Sequence, residues 1–90
     1  MKAVITVIGK DKKGIIATVS AACARFGANI LDISQTVMRE YFSMIMLVDI
    51  SEVESVGLRD FSDALSEECR TLNVDVRVMH EDIFNAMHRI

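Results

Sequence analysis

Two short runs, Ala3-Val4-Ile5-Thr6-Val7-Ile8 and Phe42-Ser43-Met44-Ile45-Met46-Leu47-Val48, are apolar on both of the faces that a β-strand presents. Side chains alternate across a strand, so a run of this kind is stable only inside a sheet, with neighbours at both edges and cover over both faces. Both runs are too short for a buried helix, and the first is rich in β-branched residues and closed by Gly9. Two central strands in a chain of 90 residues leave the remaining segments the task of flanking and covering them.

The rest of the chain supplies those parts in order. Ile15, Ile16, Val19, Ala22, Cys23 and Phe26 recur at helical spacing, with Asp11 suited to the N-cap and Gly27 to the left-handed residue after the last turn. Asn29 opens a half-exposed strand running to Met38, in which Leu31, Ile33 and Val37 alternate with Asp32, Ser34 and Thr36. Arg39-Glu40 is the expected hairpin turn into the second apolar run, although neither residue favours a positive φ. Ser51 with Glu54 has the spacing of a capping box, and Leu58, Phe61, Leu65, Cys69 and Leu72 follow as the buried stripe of a second helix. Asn73 stops that helix. Val74, Val76 and Val78 then alternate with Asp75, Arg77 and Met79, and Ile83, Phe84, Met87 and Ile90 carry helical spacing in a short tail. The order predicts a single α+β domain over residues 1–90, with a core of 2–79 and a tail of 80–90. Its expected form is a ferredoxin-like βαββαβ sandwich: a four-stranded antiparallel sheet, two helices on one face, and a C-terminal helical tail. The second face of the two central strands must be covered by that tail or by another copy of the chain.

Composition sharpens this. The chain is 51% hydrophobic with no Pro and no Trp, and its mean hydropathy is +0.31. A domain this small removes only about 60–65% of its unfolded surface from water, so the apolar surplus points to self-association. A net charge of −3 excludes a surface committed to phosphate backbones, and no nucleic-acid partner is expected. Cys23 and Cys69 form no C-x-x-C pair and read as reduced, buried residues. The run Ala3–Ile8 is neither a secretory signal nor a membrane span, so no membrane partner is expected and the expected location is the cytoplasm.

Catalytic constellations are missing from the pattern. Neither cysteine has a base near it in sequence, and His80, Glu81, Asp82 and His88 match no metal-binding spacing, so neither catalytic residue, metal nor cofactor is expected. Gly9-Lys10-Asp11-Lys12-Lys13-Gly14 has two glycines between strand and helix, but Ile15-Ile16 follow where a nucleotide loop requires Lys and Ser or Thr. The loop suits a small carboxylate instead: N–H groups of the first helical turn point into it, Gly14 permits close approach, and three lysines add positive potential. Asp11 offers a partner for an ammonium group. The alternative is a capped helix start with solvated lysines. The charged residues of the second helix read as its wet face, and Met44 and Met46 as core or dimer interface.

The stretch Thr6-Val7-Ile8-Gly9-Lys10-Asp11-Lys12-Lys13-Gly14-Ile15-Ile16 resembles the Asp-Arg/Lys-Pro-Gly turn of ACT domains, and Gly27-Ala28-Asn29-Ile30 resembles that family's entry into its second strand. The resemblance runs from Lys2 to about Met79. The continuation through Thr36 and the Phe42-Ser43-Met44 start of the next strand are most similar to the stand-alone single-ACT proteins of bacteria and archaea, which have no assigned biochemical function. These in turn are similar to the ACT regions of the glycine cleavage system transcriptional repressor and of formyltetrahydrofolate deformylase. The resemblance implies a non-enzymatic regulatory domain, a homodimer or higher oligomer, that binds an amino acid where the first loop of one copy meets the second strand of another. Carried over by position, it implicates Asp11, Gly14, Ile15, Asn29 and Ile30, with Asp32 and Gln35 matching the subgroup alone. Lys13 stands where the family usually has Pro, and Gly9 where some serine-binding members carry His. The competing expectation is a ligand-free dimerising module that docks on a partner enzyme or regulator.

Overall fold

A computed structural model describes residues 2–10, 14–51, 53 and 57–87. Strand β1 (Lys2–Gly9) leads to helix α1 (Ile15–Phe26), strands β2 (Asn29–Met38) and β3 (Tyr41–Asp49), helix α2 (Leu58–Cys69), strand β4 (Val74–His80) and helix α3 (Glu81–Met87). The sheet is antiparallel throughout, in the order β2-β3-β1-β4, which puts the two fully apolar runs at its centre as expected. The fold is the ferredoxin-like sandwich.

Alternation sorts the central strands into two faces. Ala3, Ile5 and Val7 of β1 and Phe42, Met44, Met46 and Val48 of β3 join Ile15, Val19, Ala22 and Cys23 of α1 and Phe61, Leu65 and Cys69 of α2 in one buried cluster. The rings of Phe26 and Phe61 lie 5.4 Å apart, and Arg25 pairs with Glu68, tying the two helices together above the sheet. That pair is surface-exposed and adds little beside the buried cluster. On the opposite face Val4 is 4% exposed and stands outside the main cluster. The tail helix α3 packs against β1 and β4 at this end of the sheet. Its first turn is held by His80, whose Nδ1 accepts the Asp82 N–H at 3.1 Å. Cover stops there: Ile8 is 58% exposed and Ile45 45%, and Tyr41 and Met38 are also open to solvent.

Several local expectations need correction. Helix α1 begins after Gly14, whose φ of 79° serves as its N-cap with no side-chain hydrogen bond, while Asp11 lies outside the described residues. Helix α2 begins after Gly57, so Ser51 does not cap it, and Glu54 lies outside the described residues. After Cys69 the chain tightens into a 3₁₀ turn over Arg70–Leu72 before Asn73, at φ 57°, ends the helical run. The alternation expected of β2 is interrupted once: a bulge between Ile30 and Asp32 makes Leu31 the unmatched residue of the strand. Arg39 takes the positive φ that the two-residue turn demands, at 57°.

Gly9 marks a close approach between β1 and β4. A Cβ there would sit 2.4 Å from Val74 Cγ1. Gly9→Ala is therefore expected to destabilise the fold by about 1–3 kcal/mol in urea unfolding. Combined with Val74→Ala, which vacates the space, it should cost less than the two single changes added together.

Candidate functional site

The residues implicated in ligand binding fall into two groups at opposite ends of the sheet. β1 runs from Lys2 to Gly9 and hands the chain to the loop before α1, so Gly14 and Ile15 stand at the end where β1 finishes. α1 then returns the chain, and Asn29 starts β2 beside Asp49, which is itself the register partner of Lys2 at the beginning of β1. The length of an eight-residue strand separates the ends, roughly 23 Å at the usual rise per residue. No single chain closes the two groups around one small molecule.

At the loop end, Gly14 holds a left-handed conformation, and its carbonyl accepts the N–H of Thr18 at 3.0 Å. Ile15 is fully buried in the core, so only its backbone is available to a ligand. Lys10 extends over the ring of Tyr41, with Nζ 5.8 Å from the centroid. Beside it, Ile8, Thr36, Met38, Tyr41, Phe42 and Ser43 line a shallow cavity of about 140 Å³.

At the other end, Gly27, Asn29, Asp49 and Ser51 line a cavity of about 330 Å³, within the range of small-ligand sites. Gly27 ends α1 at φ 77°, with its N–H bonded to the carbonyl of Ala24 and that of Ala28 to Cys23. Asp49 Oδ1 accepts both the Ser51 N–H at 2.9 Å and the Ser51 hydroxyl at 2.6 Å. These two bonds hold the Asp49 carboxyl below its ordinary pKa, the hydroxyl contributing more than the backbone, with a lesser contribution from the charge of Lys2. Ile30 pairs with Val48 and packs on the core, so it braces this end. Asp32 and Gln35 are not brought together: Asp32 is opposite Leu47 and Gln35 opposite Met44, on different faces of β2. Asp32 Oδ1 accepts the N–H of Ile33 at 2.9 Å.

Asp49 and Ser51 are the members of this site that sequence reasoning missed. The signal was present in Asp49-Ile50-Ser51, since an Asp that accepts from the residue two positions on makes an Asx turn. Among the described residues, no group of three or more His, Cys, Asp or Glu side chains is placed to hold a metal ion. No helix among them is long and apolar enough to cross a membrane.

Residues 2–79 match the family model described as the ACT domain. The chain belongs to the ACT domain family. ACT domains are regulatory modules that commonly bind small ligands and dimerise. A UPF0237 protein of Methanopyrus kandleri is 54% identical over 91 residues, covering 99% of this chain and 98% of that relative. An ACT domain protein from Streptococcus pneumoniae is 44% identical and superposes with a TM-score of 0.81, covering 98% of each chain. A structure assigned as a glycine cleavage system transcriptional repressor shares the fold, with a TM-score of 0.68 at 22% identity over 89% of this chain and 47% of that one.

Both cysteines of this ACT domain are free and buried. Desolvation pushes the Cys23 thiol up to about 11, the reverse of what a thiolate nucleophile needs, and also raises that of Cys69. Because the folded pKa of Cys23 lies above the ordinary thiol value of 9.0, the folded state keeps its proton longer than the unfolded one. Stability from this group is fully present below about pH 9 and is lost as the pH rises toward 11. Urea unfolding should show a loss of up to ~2 kcal/mol between those limits, and Cys23→Ala should flatten the slope. A wild-type slope unchanged in the variant would assign it to other groups.

Proposed function

We propose that this chain is a non-enzymatic regulatory domain. It acts as a homodimer, binds an amino acid or similar small carboxylate between the loop of one copy and the β2 start of the other, and passes the signal to a partner protein in the cytoplasm. The single observation that carries this reading is the placement of the two residue groups at opposite ends of the sheet. Edge strand β2 is exposed along nearly its whole length and carries Leu31, Ile33, Val37 and Met38 in solvent. An edge of ten residues with apolar side chains invites pairing with another strand. Two-fold antiparallel pairing of β2 with its own copy would set Asn29 of one chain beside Met38 of the other. Met38 stands at the end of the sheet where β1 delivers its chain to Gly14. One dimer would thus complete two equivalent sites.

Each half has a chemistry suited to part of an amino acid. Among the described residues no side chain caps the first turn of α1, and its N–H groups with the positive end of the helix dipole suit a carboxylate. Gly14 keeps that approach open, and Asp11 of the same loop is the residue to which sequence assigns the ammonium group. Asn29 adds an amide that both donates and accepts. Similarity of fold to a protein assigned as a transcriptional repressor supports a regulatory role.

A second reading is favoured by a separate observation, the apolar surface of Ile8, Met38, Tyr41 and Ile45 around the smaller cavity. On that reading the domain dimerises, binds no small molecule and docks on a partner protein through this surface.

Thermal melting with the twenty amino acids separates the two. At 100 times its Kd a ligand should stabilise the fold by about 2.7 kcal/mol. The Asp11→Ala, Asn29→Ala double variant should abolish that gain while sedimenting, like the wild type, at twice the 10.0 kDa chain mass. A dimer that responds to none of the twenty at millimolar concentration would favour the docking module.

A further inference from the structure

Helix α3 lies on the face of the sheet away from α1 and α2, and burial on that face falls with distance from it. Along β1, Val4 is buried, Thr6 half-buried and Ile8 exposed; along β3, Leu47 is half-buried while Ile45 and Tyr41 are exposed; along β4, Met79 is half-buried while Arg77 and Asp75 are exposed. The register sets these residues side by side, with Val4 between Leu47 and Met79, Thr6 between Ile45 and Arg77, and Ile8 between Ser43 and Asp75. One end of the face is therefore roofed by α3, and the other, with Ile8, Ile45, Tyr41 and Met38, is bare. The helix also has an apolar side of its own left over. Ile83 and Met87, four residues apart and so on one stripe of α3, are 55% and 65% exposed although α3 already packs on β1 and β4. Within one chain this stripe and the bare end of the sheet do not meet, because α3 stands at the opposite end. The residues that match the family model stop at Met79, so α3 is an element beyond the ACT core.

Charge is graded along the face in the same direction. α3 opens with Glu81 and Asp82, and Asp32 and Asp49 lie at the same end of the sheet, with Lys2 among them. At the bare end stand Lys10, whose Nζ lies over the Tyr41 ring, and Arg39 in the turn between β2 and β3, with Glu40 beside it. Asp75 at that end is paired with Arg77. We propose that this face is an interface between two copies of the chain, in which α3 of each lies across the bare sheet end of the other. A two-fold axis between the sheets and across the strands brings Ile83 and Met87 onto Ile8, Ile45 and Tyr41 twice over, and sets Glu81 and Asp82 toward Lys10 and Arg39. An acidic ridge and a basic trough, both apolar at the centre and both on one face, complement each other only through a second copy. The contact leaves the edge of β2 free and is independent of any ligand. With one seven-residue helix and one sheet end from each copy, it belongs with small, transient interfaces of less than about 1,200 Å² and forms at high protein concentration.

Sedimentation of the full-length wild type and of the Ile83→Ser, Met87→Ser double variant, from low to several hundred micromolar, tests this. Both positions are exposed, so the variant should keep the wild-type melting temperature at low concentration. At the highest concentration the wild-type assembly is expected to have twice the mass of the variant's, four chains against two where β2 pairing holds and two against one where it does not. The mass of the variant thus reads the β2 pairing separately. Lys10→Glu should raise the concentration needed for the association several-fold, and Glu81→Lys in the same chain should lower it again by exchanging the two charges. Equal masses for wild type and double variant at every concentration would overturn the proposal and leave the bare end to a foreign partner. A Lys10→Glu defect that Glu81→Lys does not reverse would overturn the placement of α3 across that end.

Discussion

The pairing of β1 with β3 is the constraint on which the rest of this molecule depends. Eight register pairs from Lys2↔Asp49 to Gly9↔Phe42 join two strands that are apolar on both faces. One face is satisfied by α1 and α2, which close over Ile5, Val7, Met44 and Met46. The other is satisfied only in part, because α3 reaches β1 and β4 but leaves Ile8, Tyr41 and Ile45 in water. Among the described residues no further element covers this face, so its apolar surface comes with the pairing of the two strands themselves. The hydropathy surplus noted from composition thus has an address: the part of the two central strands that α3 leaves open on the face away from α1 and α2, and the exposed side chains of β2 and α3.

The same pairing fixes the polarity of the site. Because β1 and the start of β2 sit on opposite sides of a crossover helix, whatever the chain presents after β1 and whatever it presents before β2 must lie at opposite ends. The two motifs that most resemble a ligand site are therefore held apart by the fold that supplies them. On the proposed reading, assembly and binding are two aspects of one event: a ligand that bridges two copies would stabilise the pair, and association of copies would complete the pocket. Such a linkage would let a regulator convert ligand concentration into assembly state without any large movement within a chain.

Much of this was legible in the residues. Element order, the central position of the two apolar runs, and the helix ends at Gly27 and Asn73 follow from local pattern, because burial period and left-handed stops are properties of neighbouring residues. What failed did so where one local pattern served two purposes. Ser51 has the spacing of a capping box with Glu54 and of an Asx turn with Asp49, and the hydrogen bonds it makes with Asp49 are the second kind. The bulge at Leu31 shifts the register of β2 by one residue, which no alternation of polar and apolar side chains announces. Ile15 matches the family position, yet its rotation on α1 commits the side chain to the core. Asp49 was overlooked for a related reason: as the polar end of a strand it is unremarkable until the register places Asn29 opposite it and α1 ends beside them both.

The claim that two copies share each site is tested most directly by mixing damaged subunits. A Gly14→Val chain, blocked in its loop, and an Asn29→Ala chain, deficient at its β2 start, are each expected to form dimers that lose the amino-acid response of the wild type. Refolded together, they produce mixed dimers in which one site carries both defects and the other carries none. The account predicts that isothermal titration of the mixed dimer recovers wild-type affinity at half the wild-type stoichiometry. Mixed dimers that bind no better than either parent would mean that no site combines the loop of one chain with the β2 start of the other, and would contradict it.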